Sequence, residues 1–210
     1  MRWTLKTLRD LMTLRKKTAL IILGHILFLA GCTSTPKIVA TPSRTDNLCQ
    51  IFAQNPSWLQ DAYAAQNRWG TSIATKMAII WYESRFRADA RPIKSSSFFG
   101  TEYASSAYGY SQALDGTWDW YKKETGRDNA DRTNFSDAID FVGWYMAKSH
   151  KMIGLSLDDA YNQYLAYHEG QRGFTTKSYI GKAWLLNIAK KVDERSQQYQ
   201  TQLNSCSLGS

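Results

Sequence analysis

The chain is poor in residues that hold metals. Its 210 residues include three cysteines and three histidines. The cysteines, at 32, 49 and 206, form no CxxC pair, and no Cys/His set has the spacing of a zinc site. No metal is therefore expected. The chain also lacks a hydrophobic run long enough to span a bilayer. The longest run, TALIILGHILFLA over 18–30, is interrupted by His25, and a spanning helix needs about 20 apolar residues. No alternating apolar and polar run argues for a central strand, and no internal repeat is visible. A strong charge excess is missing from the body as well. The chain carries 26 basic and 18 acidic residues. Six of those bases and one acid fall within residues 1–31, which leaves 20 against 17, or +3. That balance is too mild to argue for nucleic acid. It is compatible with an anionic polymer.

What is present begins with the amino terminus. Arg2, Lys6, Arg9, Arg15, Lys16 and Lys17 precede the apolar run, the order of a secretory signal. Leu29-Ala30-Gly31-Cys32 follows and resembles a bacterial lipobox. The resemblance implies cleavage before Cys32 and acylation of its thiol and new amino terminus. A short anchor that is never cleaved is the alternative. Either reading puts the body outside the cytoplasm, tethered to a membrane. Thr33 stands where an inner-membrane retention signal would place Asp. Similarity to bacterial lipoproteins then implies the outer membrane, with the body facing the periplasm. Residues 32–46, rich in Ser, Thr and Pro, read as the lipid-anchored linker. In an oxidising compartment Cys49 and Cys206 can close a long loop that ties the ends of the body together. Two free thiols are the alternative.

Residues 47–206 are long enough for one compact domain, and they read as all-α. A helix over 57–68 starts at Ser57 and stops before Gly70. Another, over 72–84, puts Ile73, Met77, Ile80 and Trp81 on one face. Residues 88–113 lack periodicity and suggest a long irregular segment, with a small hairpin near 93–110. Residues 116–125 form a short helix ending at Gly126. Ser136 caps a helix with Ile139, Val142 and Met146 inward. Ser156 and Asp159 form a capping-box pattern ahead of a helix that Gly170 stops. The last helix places Ile180, Trp184, Ile188 and Val192 inward and then turns polar. Most of the many aromatics belong in the core. Tyr103, Tyr108 and Tyr110, in the irregular segment, are candidates for flat sugar-binding faces.

One carboxylate stands out. In AIIWYESRF (78–86) Glu83 follows five apolar or aromatic residues and lies near the inward face of its helix. An unpaired carboxyl in such a place is costly to ionise, so its pKa rises. Ser84 follows it directly. SSAYGYSQ (105–112) supplies Gly109 and Gln112, and AYHEG (166–170) closes a helix. Glu-Ser at a helix end, then Gly-x-x-Gln, then Ala-Tyr-x-x-Gly, resembles the motif order of the soluble lytic transglycosylase (SLT) domain, over roughly residues 70–190. The resemblance implies a lysozyme-like α fold and action on peptidoglycan glycan strands.

The same resemblance implies residue roles. Glu83 matches the family's single catalytic acid/base, and Ser84 the serine beside it. Gly109 and Gln112 match the ends of Gly-Leu-Met-Gln, whose Gln lies in the substrate groove. Ala166, Tyr167 and Gly170 match the last motif, whose Tyr hydroxyl approaches the catalytic carboxylate. Two departures are visible. Tyr110-Ser111 replaces Leu-Met, turning an apolar groove contact polar. His168 stands where the family usually has Asn; a pH-sensitive cleft residue and a satisfied helix-end His are the two readings.

Cleaving a glycosidic bond requires a carboxyl still protonated near neutral pH, and an apolar pocket supplies that shift. Most glycosidases add a second carboxylate. Glu102, Asp115 and Glu169 are the candidates, and none pairs convincingly with Glu83. One carboxylate suits substrate-assisted chemistry. The resemblance then implies cleavage of the MurNAc-GlcNAc bond to 1,6-anhydromuramic acid without net hydrolysis. A hydrolytic muramidase of the goose-lysozyme type and a non-catalytic peptidoglycan-binding lipoprotein are the competing readings. No protein partner in the cell-wall machinery is specified.

Overall fold

A computed structural model describes residues 41–97 and 100–206. The signal segment, Cys32 and most of the linker lie outside the described residues. The described part holds seven helices and one hairpin: α1 (Leu48–Gln54), α2 (Pro56–Trp69), α3 (Ile73–Ser84), β1 (Ile93–Ser97), β2 (Gly100–Tyr103), α4 (Asp115–Thr125), α5 (Phe135–Ile153), α6 (Ala160–Thr175) and α7 (Ala183–Ser205). This is a mainly-α, lysozyme-like domain, and no helix in the described residues is long and apolar enough to cross a membrane.

The central element is α3. Ile73, Ala74, Met77, Ala78, Ile79 and Ile80 are all fully buried. A helix apolar on every side belongs inside a domain rather than on its surface. It packs against α7 on one side and α5 on another, with α2 also in contact. Lys76 is buried with it. Its Nζ donates to Thr71 O at 2.7 Å and Thr71 Oγ1 at 3.1 Å. Burial pushes Lys76 down to about 7, with Asp140 opposing. Asp140 is itself a hub, accepting from Trp69 Nε1 at 2.9 Å and Tyr121 OH at 2.7 Å. It also pairs with Arg68 and Arg127 at 3.1 and 2.8 Å. A buried carboxylate needs partners of this number to be tolerated.

Several helix starts differ from the sequence expectation. Ser57 does not cap α2; Pro56 occupies its first turn behind Asn55. Proline is well suited there because its missing N–H would be unpaired in any case. Asn134, not Ser136, caps α5, accepting from Ser136 N and Asp137 N. Asp159 alone caps α6, accepting from Asn162 N. Gly70 and Gly126 end α2 and α4 in the left-handed region. Gly170 does not stop α6: the helix breaks there, at φ 75° and ψ 160°, and resumes to Thr175.

The face of α7 is also reassigned. Ile180 precedes the helix, and Ile180 and Trp184 are 62% and 54% exposed. Leu185, Ala189, Val192, Ser196 and Tyr199 form the buried stripe. Apolar spacing alone does not distinguish two adjacent faces. At its far end α7 meets α1, where Cys49 and Cys206 form a disulfide with Cα atoms 5.7 Å apart. Leu48 N donates to Gln202 Oε1 at 2.7 Å beside it.

Residues 88–113 carry the antiparallel hairpin, with a bulge between Ile93 and Ser95. Tyr110 leaves this segment for the core. It is 1% exposed and meets Trp58 and Phe135 edge-on, while those two rings stack at 3.8 Å.

Candidate active site

A cleft of about 450 Å³ opens beside the end of α3. Glu83, Gln112, Tyr145, Tyr167, His168 and Gly170 are among its lining residues, with Pro92, Ser105 and Leu114 on the hairpin side. Five parts of the chain meet there: the last turn of α3, the irregular segment, the start of α4, α5 and α6.

Glu83 is carried on the last turn of α3. The chain turns off immediately afterwards, with Arg85 and Phe86 both in the left-handed region at φ 57° and 59°. Two successive non-glycine residues in that region are strained, a state that persists only where the surroundings enforce it. Here Phe86 is 1% exposed. The Arg85 guanidinium stacks over Trp81 at 3.5 Å, and that of Arg195 on α7 lies 3.7 Å from the same ring. The turn is thus clamped by an apolar anchor on one side and an aromatic one on the other.

Glu83 is half-buried as a residue, with one face of its carboxyl turned away from solvent. Glu83 Oε1 is buried and has no hydrogen-bond partner among the described residues. Burial raises the Glu83 pKa to about 7, and the neighbouring Tyr164 hydroxyl opposes the rise in part. Loss of water disfavours the charged form and is the dominant cause. The same negative charge raises Tyr164 and Tyr167 in turn, on top of their own burial. Both phenols therefore stay protonated and able to donate.

Gln112 adopts φ 51° and lines the cleft. Its Nε2 donates to Ala90 O and Gly109 O, each at 2.8 Å. Both amide hydrogens are committed to holding the loop, so its carbonyl oxygen is the part left for a ligand. Gly109 serves the same loop. At φ +74°, a Cβ there would sit 2.1 Å from Arg132 O. Its close backbone approach is to the protein rather than to a ligand.

The structure brings together Glu83, Gln112, Tyr167, His168 and Gly170 of the expected set. Others it places elsewhere. Ser84 is buried and its Oγ donates back to Ile80 O at 3.1 Å. Tyr110 is core, and Ser111 is fully buried, so the expected polar groove contact is not made by these side chains. Ala166 is also fully buried; a larger side chain would meet the core there. Tyr103 and Tyr108 do not line this cleft; they stack with Arg91 at 4.7 and 4.4 Å. Tyr167 lines the cleft with Glu83, close enough for the carboxylate charge to raise the pKa of its phenol. Its hydroxyl donates to Ser111 O at 2.6 Å. Tyr164 is a second phenol close to the Glu83 carboxyl, and it lowers the Glu83 pKa against the larger effect of burial.

Tyr164, Phe141 and Tyr145 do not stand out in the sequence. Tyr164 lies three residues before Tyr167, one turn away on the same helix face. Phe141 and Tyr145, at i and i+4 on α5, supply aromatic wall to the cleft.

The three candidate second carboxylates are all engaged. Glu102 pairs with Lys94 at 2.7 Å and Asp115 with Arg132 at 2.7 Å. Glu169 does line the cleft, but Lys182 Nζ donates to its two oxygens at 2.7 and 2.8 Å. Ser178 Oγ donates to Oε2 and His168 Nδ1 lies 3.0 Å from Oε1. Lys182 and Ser178 hold Glu169 down at about 2. Two carboxyls on one cleft thus differ in state: one proton-holding, one permanently charged and saturated with donors. No group of three or more His, Cys, Asp or Glu residues among the described residues is placed to hold a metal.

Comparison with known proteins gives one family. The family model described as "Transglycosylase SLT domain" matches residues 20–206. No curated protein matches the chain at a significant level.

Proposed function

The chain belongs to the transglycosylase SLT domain family, whose activity is lytic cleavage of peptidoglycan, and from that premise we propose that Glu83 is its single acid/base. The observation that carries the reading is the Glu83 carboxyl, buried on the cleft, without a partner on Oε1 and raised to about 7. The bond cleaved is the β-1,4 linkage from MurNAc to GlcNAc. Protonated Glu83 gives its proton to the linking oxygen as the bond to C1 breaks, and the 2-acetamido oxygen of MurNAc assists from the opposite face. Glu83, now a carboxylate, takes the proton of the MurNAc C6 hydroxyl. O6 then closes onto C1 and gives 1,6-anhydromuramic acid. Glu83 ends as it began, so no water and no cofactor enters the balance. Tyr164 steadies the carboxylate half of the cycle by hydrogen bonding. Tyr167 holds the Ser111 carbonyl and so fixes the Gln112 loop against α6.

A hydrolytic muramidase of this fold would need a second carboxylate to activate water. Among the described residues Glu169 is the one acid beside Glu83 on the cleft, and every donor around it is spent on holding it. That favours the non-hydrolytic route. We further propose that the protein works from a lipid anchor on Cys32 in the outer membrane, facing the periplasm. The support is the lipobox-like sequence at 29–32 and Thr33 after it.

The test is Glu83→Gln with purified sacculi. The amide keeps shape and cannot cycle a proton, so release of muropeptides falls by at least about 10³-fold while binding to sacculi persists. Release at the wild-type rate would remove Glu83 from the chemistry.

A further inference from the structure

The sequence expectation that Trp184 faces the core fails, and the position it takes instead has a consequence for the cleft. Three rings form a row leading away from Glu83. Tyr164 lies beside the Glu83 carboxyl. His168, one turn on along α6, has its ring centroid 6.5 Å from that of Tyr164. Trp184 follows, 5.2 Å from His168 and at 75° to it. His168 lines the cleft; Trp184 is not itself a lining residue but stands against that ring, with 54% of its surface open.

The rim is built rather than loose. Glu169 has a side chain only 5% exposed. It takes hydrogen bonds from Ser178 Oγ and Lys182 Nζ, and His168 Nδ1 sits against its Oε1. Since the Glu169 carboxylate can only accept, His168 Nδ1 carries the proton. One buried anion therefore fixes both the ring on the cleft wall and the residue that starts α7, two positions before Trp184. The backbone that carries the indole is thereby tied to the cleft wall, and the indole itself meets the His168 ring edge-on.

We propose that Trp184 is the outer sugar platform of this cleft, stacking on the C–H face of an N-acetylhexosamine ring remote from the cleaved bond. The proposal rests on the reading of the cleft as a glycan groove. A pyranose ring offers an apolar face of axial hydrogens with hydroxyls around its edge, and an exposed indole complements it by a broad apolar face with one N–H donor. The platform acts on binding and not on the proton chemistry.

The test uses the full-length chain in detergent and two readouts. In the Glu83→Gln background, binding of a hexamer of N-acetylglucosamine is measured by titration calorimetry. Trp184→Ala weakens it roughly five- to tenfold, the worth of one aromatic contact, and Trp184→Phe recovers most of the loss. With Glu83 intact, Trp184→Ala raises KM for soluble peptidoglycan strands and leaves kcat unchanged. Unchanged hexamer affinity in Trp184→Ala, or a fall in kcat at constant KM, would overturn the platform. So would Phe failing to rescue. If the Glu83→Gln parent binds no hexamer, the glycan-groove reading falls together with the platform. If it binds through Trp184 while the Glu83-intact chain releases nothing, the catalytic reading falls and the platform stands.

Discussion

Glu83 holds its proton to a higher pH because the end of α3 withdraws much of its carboxyl from water just before the chain turns away. The sign of the pH dependence follows. A general acid works only while protonated, and a pKa of about 7 instead of 4.5 extends the active range upward by that interval. The rate is therefore maintained to near neutrality and declines above about pH 7 as the acid form is lost. The Tyr164 hydroxyl favours the carboxylate and so lowers the Glu83 pKa. Removing it in Tyr164→Phe is expected to move the alkaline limb of kcat/KM upward, with a lower maximum. A pH–rate profile of the two proteins reads this directly; an unmoved limb would separate Tyr164 from the acid. The apolar run before Glu83 makes this residue legible in sequence. The Tyr164–Glu83 relation is not, because it depends on the rotation of α6 about its axis, which a motif does not encode.

At the scale of elements, the segment from 88 to 113 does most to shape the site, and it is the least legible. Its lack of periodicity correctly marks it as irregular, and the hairpin falls within the expected range. Which of its residues face the cleft is not readable. Tyr110 and Ser111 look like exposed loop residues in sequence, yet both are buried, since the loop folds over Trp58 and Phe135. Gly109 is the hinge of that inversion. Gly109→Ala must displace the Arg132 carbonyl and hold φ +74° with a side chain. A loss of roughly 2–4 kcal/mol is expected, with activity reduced through Gln112, whose Nε2 bonds to Gly109 O. Gly116→Ala, where nothing lies within 4 Å, is the control and changes stability by less than about 1 kcal/mol. Urea midpoints of both variants decide it. Equal midpoints would mean that the Arg132 approach is not a constraint.

For the molecule as a whole, the helical class and single-domain body are readable because α3 and α5 carry long apolar patterns. On α7 Val192 is buried and Ile188 packs half-buried on the core, whereas Ile180 and Trp184 are exposed, and α1 escapes sequence reasoning because seven residues are too few for a period to show. These two elements are the pair that the disulfide joins. Cys49 and Cys206 are 157 residues apart in sequence, so their bond restricts nearly the whole body of the unfolded chain. Cys206→Ser is expected to cost about 2–5 kcal/mol. Turnover at temperatures well below the transition should persist, since neither cysteine lines the cleft. Thermal unfolding with and without reductant checks this, and a shift in wild type under reductant without one in the variant is the expected pattern.

The central claim is that one buried carboxyl closes the sugar on itself instead of admitting water. Mass spectrometry of muropeptides released from purified sacculi by the wild-type protein tests it most directly. The account predicts products ending in 1,6-anhydromuramic acid, lighter by one water than reducing ends, and none with Glu83→Gln. Reducing ends in the wild-type digest would contradict it and make water, not the C6 hydroxyl, the acceptor at C1.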